Sequence, residues 1–153
     1  MILELAQSKD KRKIAKLDRH IPSPRLGECI WNQQVYVLKD DSIKNGGQNH
    51  RLKDPVVGVL RYSLFWETIP FLNLLYIDAS YRNKGFGTEM MRRWEDTMAR
   101  MGYKYVMTST QADEDAWVFY EKLGYQRVGG FFPPEQAVEE WMYLKRLDGR
   151  NFD

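Results

Sequence analysis

A mixed α/β protein, with a mostly antiparallel sheet and one parallel strand pair, is the fold class this sequence predicts. Apolar runs of strand length recur along the chain, as in Val56–Trp66 and Leu72–Asp78. The second of these passes through a glycine turn into a long amphipathic helix and then into another apolar run, Lys104–Thr110. Strand, right-handed helical crossover and strand make a parallel pair. The full pattern amounts to about seven strands and about four helices. At 153 residues it forms one domain, residues 1–153, long enough to bury roughly two-thirds of its unfolded surface.

In order, Met1–Ala6 reads as a first strand. Ser8 caps a helix that reaches Asp18, with Ile14 and Leu17 inward and the basic run Lys9–Lys13 as its solvated face. Pro22 and Pro24 break it, and a short helical segment follows at Arg25–Ile30. Gln34–Lys39 is a strand. Asp40–Asp54 is polar, contains Asn45-Gly46-Gly47 and forms an exposed connection. Pro55–Trp66 is the next strand, turned by Glu67–Pro70 into the central one, Leu72–Asp78.

The helix from Thr88 to Gly102 places Phe86, Met90, Met91, Trp94, Met98 and Met101 on one side. Arg92, Arg93, Glu95, Asp96 and Arg100 fall on the other, and Gly102 supplies the C-cap. After Lys104–Thr110, Asp113 or Asp115 opens a short helix that ends at Leu123-Gly124. Its residues Ala116, Phe119, Tyr120 and Leu123 share one face. Tyr125–Phe132 and Glu139–Lys145 are the last strands, and the tail Asp148–Asp153 frays.

Composition narrows the function. Hydrophobic content of 43% and charged content of 29% are those of a globular protein in water. A net charge of +2 is too small to argue for a nucleic-acid or membrane partner. The single Cys29 excludes an internal disulfide and suits a reducing compartment. His20 and His50 show no metal-ligand spacing with each other or with Cys29, so no metal site is expected. Without a signal peptide or an apolar run of membrane-spanning length, the expected location is the cytoplasm.

Chemistry concentrates at Arg82-x-x-Gly85-x-Gly87. Glycines allow positive φ and close approach of a ligand to the backbone. The helix that follows starts with unpaired N–H groups and a partial positive charge, a setting for phosphate oxygens beside Arg82 and Lys84. The alternative is an ordinary left-handed turn closing a strand–helix unit. A Walker A run is missing, and a dinucleotide fingerprint would need glycine or alanine where Met90 stands.

The run Leu75-x-Ile77-x-x-x-Tyr81-Arg82-x-Lys84-Gly85-x-Gly87 resembles the acyl-CoA-binding motif of the GNAT superfamily of N-acyltransferases. Asp113-Glu-Asp-Ala116-Trp-Val-Phe119-Tyr120-Glu-Lys-Leu-Gly-Tyr125 resembles that family's second segment. The resemblance is specific from residue 72 to 125 and elsewhere is one of element order. It implies a GNAT-like sheet whose parallel pair splays into a coenzyme A cleft. The implied reaction is acetyl transfer from acetyl-CoA to a primary amine, without a metal.

By the same resemblance, Arg82, Asn83, Lys84, Gly85, Phe86, Gly87 and Thr88 hold the pyrophosphate. Ile77 bonds the pantetheine arm through its backbone, and Tyr120 is the general acid for the leaving thiolate. Asp113 stands where the family has an asparagine, and an ionised carboxylate accepts hydrogen bonds but donates none. Backbone N–H groups near Tyr76 to Asp78 are expected to be free for the oxyanion. Glu67 and Asp78 are candidates for the base or for holding the amine, and a water chain is a third. Tyr62, Phe65, Trp66, Phe71 and Tyr76 either wall an acceptor pocket or pack the core. An acyl-CoA-binding sensor without turnover is the alternative function, and homodimerisation through aromatic strands is left open.

Overall fold

The computed structural model describes residues 1–42 and 55–149. Most of the Asp40–Asp54 connection and the last four residues of the tail therefore lie outside the described residues. Seven strands and four α-helices are formed among them. The strands lie in one sheet in the order β1-β2-β3-β4-β5-β7-β6, labelled below as they are introduced. Every pairing described below is antiparallel except β4 with β5. The chain packs as two compact units, Met1–Ser63 with Leu74–Met90, and Leu64–Asn73 with Met91–Asp153. No described helix is long and apolar enough to cross a membrane.

In the first unit, β1 (Ile2–Leu5) pairs antiparallel with β2 (Val35–Lys39), in a register from Ile2 opposite Lys39 to Leu5 opposite Tyr36. β2 pairs antiparallel with β3 (Val56–Phe65), with an irregularity between Leu38 and Lys39. The helices α1 (Lys11–Leu17) and α2 (Ser23–Trp31) supply Ile14, Leu26, Cys29 and Ile30 to a core shared with Val35, Val37, Val56 and Val59. Each such fully buried aliphatic side chain stabilises the fold by about 1.5–3 kcal/mol. Pro24 lies in the first turn of α2, where the missing N–H costs nothing.

The start of the basic segment departs from the sequence reading. Ser8–Asp10 is a 3₁₀ turn preceded by Gln7, not Ser8, as its cap. Asp10 is buried rather than solvated, and its carboxylate accepts the Gln7 N–H at 2.9 Å. Lys39, also buried, binds Asp10 at 3.0 Å and Glu4 at 2.7 Å. Arg61 and Asp18 form a second buried pair at 2.6 Å. These charges are tolerated inside because each is matched and hydrogen-bonded.

β4 (Ile69–Ile77) begins earlier than the reading of its sequence, because the turn from β3 needs only Trp66–Thr68. Trp66 and Glu67 take φ of 50° and 59°, a left-handed pair suited to a tight hairpin. In the second unit, Phe71 and Leu72 of β4 pair in parallel with Met107 and Thr108 of β5 (Tyr105–Gln111). β5 runs antiparallel to β7 (Glu140–Arg146) from Tyr105 opposite Arg146 to Gln111 opposite Glu140. β7 pairs antiparallel with β6 (Gln126–Phe131), which bulges between Arg127 and Gly129.

α3 (Phe86–Arg100) buries Met90, Met91, Trp94 and Met98, as its periodicity requires. Gly102 closes it at φ 96°. Two residues depart from the expected faces. Met101 lies past the last turn and is 60% exposed, whereas Glu95 is buried at 6% exposure. The Glu95 carboxylate accepts the Tyr125 hydroxyl at 2.9 Å and the Lys145 ammonium at 2.6 Å. Near the tail, the Asp148 carboxylate accepts the Arg146 Nε–H at 3.2 Å.

Candidate functional site

The chain leaves β4 at Ile77 and turns through a single 3₁₀ turn, Ala79–Tyr81, before α3. Asp78 caps that turn: its Oδ1 accepts the Ser80 N–H at 3.0 Å and the Ser80 hydroxyl at 2.8 Å. These bonds favour the carboxylate and hold Asp78 below the usual carboxylate range. The Asp78 N–H donates to Val57 O at 2.8 Å, so it is not the free donor that the strand reading expects. Alternation along the strand turns the Ile77 N–H and carbonyl away from β3.

Arg82 fills that side. Its Nε donates to Ile77 O at 2.8 Å, and its guanidinium lies 5.2 Å from the centroid of the Tyr76 ring. One donor is thereby fixed by the backbone while the rest of the fork stays available to a ligand. Asn83 and Gly85 adopt φ of 60° and 83°, which re-aims the backbone between Arg82 and the helix. A Cβ at Gly85 would meet nothing within 4 Å, so the space beside it is open.

The first i to i−4 bond of α3 runs from Glu89 N to Gly85 O at 3.1 Å. The N–H groups of Phe86, Gly87 and Thr88 precede it and have no intrahelical acceptor. Lys84 lies 5.7 Å from the Tyr81 ring, and the Tyr81 hydroxyl donates to Asp40 at 2.5 Å. Ile77 and Arg82–Thr88 are thus one continuous segment of the first unit, presenting donors and positive charge. Neither Tyr76 beneath Arg82 nor Asp40 beneath Tyr81 was singled out for this loop by the sequence. Asp40 is 41 residues away from Tyr81, and no local signal marks the pair.

The remaining candidates belong to the second unit. Tyr120, on α4 (Ala116–Lys122), is buried, and its hydroxyl is hydrogen-bonded to Thr108. Burial pushes its pKa up to about 12. Thr108 in turn donates to Leu72 O at 3.2 Å, so the phenol is tied through β5 to β4. Asp113 is exposed in the turn before α4, and Glu67 is exposed on the β3–β4 hairpin. Of the aromatic group, Phe65 packs with Trp66 at 4.8 Å and with Phe71 at 6.2 Å. Trp66 is 80% exposed, whereas Tyr62 is buried.

A strand, a turn with left-handed residues and a helix N-terminus thus follow one another in a single segment. The chain belongs to the acetyltransferase (GNAT) family, whose model matches residues 11–125. No curated protein matches it in sequence. Among solved structures it is similar to Ard1 from Thermoplasma volcanium, with 15% identity and a TM-score of 0.77 over 95% of this chain and 96% of that one. It is similar to an aminoglycoside 6'-N-acetyltransferase complexed with coenzyme A, at 18% identity and TM-score 0.75, covering 99% and 100%. A third likeness is to a chain of the NatC complex bound to Gag peptide and coenzyme A, at 15% identity and TM-score 0.74, covering 95% and 97%. At these identities the likeness is one of fold.

Proposed function

We propose that this protein is a single-domain cytoplasmic N-acetyltransferase that moves acetyl from acetyl-CoA to a primary amine. The observation that carries the reading is the Arg82–Thr88 loop, with its re-aimed backbone, unpaired helix N–H groups and anchored arginine. Arg82, Asn83, Lys84, Gly85, Phe86, Gly87 and Thr88 would hold the pyrophosphate, and Ile77 the pantetheine arm through its outward N–H. Family membership and the coenzyme A bound in two of the similar structures support the same cosubstrate.

In the proposed reaction the amine nitrogen attacks the thioester carbonyl and an oxyanion forms. The carbon–sulfur bond then breaks as the coenzyme thiolate leaves. Tyr120 is proposed to protonate that thiolate, a role supported by a pKa high enough to keep its proton at neutral pH. The amine's proton passes to Glu67, to Asp78 or to water. Because Asp78 is shifted down, it is a weak base, which favours holding the amine as a cation. Asp113 would serve the coenzyme only as an acceptor.

The test is release of the coenzyme thiol in the presence of an amine panel, with acetylated product identified by mass. Turnover with any primary amine supports the enzyme. Coenzyme binding without transfer to any amine would replace it with an acyl-CoA sensor.

A further inference from the structure

Asp40 follows directly after β2 and lies far from the coenzyme loop in sequence, yet it meets Tyr81, the residue just before that loop. Its Oδ2 accepts the Tyr81 hydroxyl at 2.5 Å. Its Oδ1 is fixed independently by the Ser42 hydroxyl at 2.6 Å and the Ser42 N–H at 3.0 Å. Its own N–H donates to Pro55 O at 2.8 Å. One carboxylate oxygen is therefore held by Ser42 while the other accepts from Tyr81.

Tyr81 ends the 3₁₀ turn that leads into the loop. Its N–H closes the 3₁₀ turn onto Asp78 O at 2.9 Å, and its ring lies under Lys84 at 5.7 Å. The next residue is Arg82, tied back to Ile77. Fixing the Tyr81 ring therefore fixes where both loop cations stand. A carboxylate so close to a phosphate site is otherwise unfavourable, since its charge repels the ligand. Its presence calls for a compensating role, and preorganisation supplies one.

We propose that Asp40 is a positioning residue for the coenzyme loop, acting through Tyr81 to hold Arg82 and Lys84 in the pyrophosphate-binding arrangement. The inference rests on the reading of this loop as the acetyl-CoA site. Charge and position predict opposite signs. By charge alone, Asp40→Ala and Asp40→Asn would both tighten acetyl-CoA binding. By position, Asp40→Ala weakens it and Asp40→Asn, which keeps an acceptor for the Tyr81 hydroxyl, does not.

The experiment is calorimetric titration of acetyl-CoA into wild type, Asp40→Ala, Asp40→Asn, Tyr81→Phe and the Asp40→Ala/Tyr81→Phe double variant, with KM and kcat measured beside it. Loss of one hydrogen bond corresponds to about tenfold in Kd for Asp40→Ala and Tyr81→Phe. The double variant is expected to be no weaker than either single one, with the loss in KM for acetyl-CoA and not in kcat. Equal or tighter binding by Asp40→Ala, or additive losses in the double variant, would overturn the proposal. If Asp40→Ala fails to fold, unchanged binding by Tyr81→Phe overturns it equally. Wild type that does not bind acetyl-CoA would instead defeat the underlying reading.

Discussion

The Nε of Arg82 donates to the carbonyl oxygen of Ile77 across 2.8 Å, while Tyr76 lies beneath the guanidinium. A lysine keeps the charge but neither the fork nor the stacking plane. Arg82→Lys should weaken acetyl-CoA about tenfold, the lower end for a charge-assisted hydrogen bond. Because Arg82 is exposed, the melting point should barely move. Isothermal calorimetry checks this; unchanged affinity would remove Arg82 from the site.

Gly85→Ala isolates the backbone. The added Cβ meets no neighbour within 4 Å, so its only effect is through the left-handed φ of 83°. That conformation costs an L-residue about 1–2 kcal/mol. In a thermal-shift titration, wild type at a hundredfold Kd of acetyl-CoA gains about 2.7 kcal/mol, equivalent to roughly 2–4 °C per kcal/mol in a domain of this size. The variant should start lower and gain less. An equal gain in both would mean that the turn is a structural cap.

Tyr120→Phe tests the acid. Removing a general acid lowers turnover by about 10²-fold or more. The KM for acetyl-CoA should hold, since the phenol lies on α4 and not on the Arg82–Thr88 loop. Thiol-release kinetics decide it, and a kcat within about twofold of wild type would reassign Tyr120 to the core.

Glu95→Ala strands the partners of a buried carboxylate, the Tyr125 hydroxyl and the Lys145 ammonium. The side chains of Glu95 and Lys145 are 8% and 24% exposed, so the loss belongs near the lower bound for a broken buried pair, about 3 kcal/mol. Differential scanning calorimetry should show the melting point falling by roughly 6–12 °C. A fall of less than about 2 °C would make this triad a surface feature in energetic terms.

Alkaline pH should unfold the protein in a defined window. Tyr120 and Tyr125 are both raised, each chiefly by burial, and Tyr120 reaches about 12. A raised folded pKa leaves stability fully present below the unfolded value of about 10 and removes it as pH climbs through the folded one. The melting point should therefore be level near neutrality and fall beyond pH ~10. Tyr120→Phe should flatten that fall. An identical slope in the variant would exclude Tyr120 as a contributor.

The amino-acid sequence by itself determined the succession of strands and helices, the parallel unit around α3 and the Arg82–Thr88 loop. All of these rest on local physics: apolar period, proline and glycine backbone limits, and unpaired N–H groups at a helix start. Boundaries slipped where two local rules competed, as at Ile69 and Pro70, which joined β4 once Trp66 and Glu67 took up the turn. Only the tertiary structure decided which charges are inside. Glu95 reads as solvent-facing on its helix and becomes buried because Tyr125 and Lys145, 30 and 50 residues on, complete its bonds. Asp10 and Lys39 pair in the same way. Asp40 reaches Tyr81 across 41 residues. A hydrogen bond of that separation leaves no period or motif in the chain, because its cause is the packing that brings the two ends together.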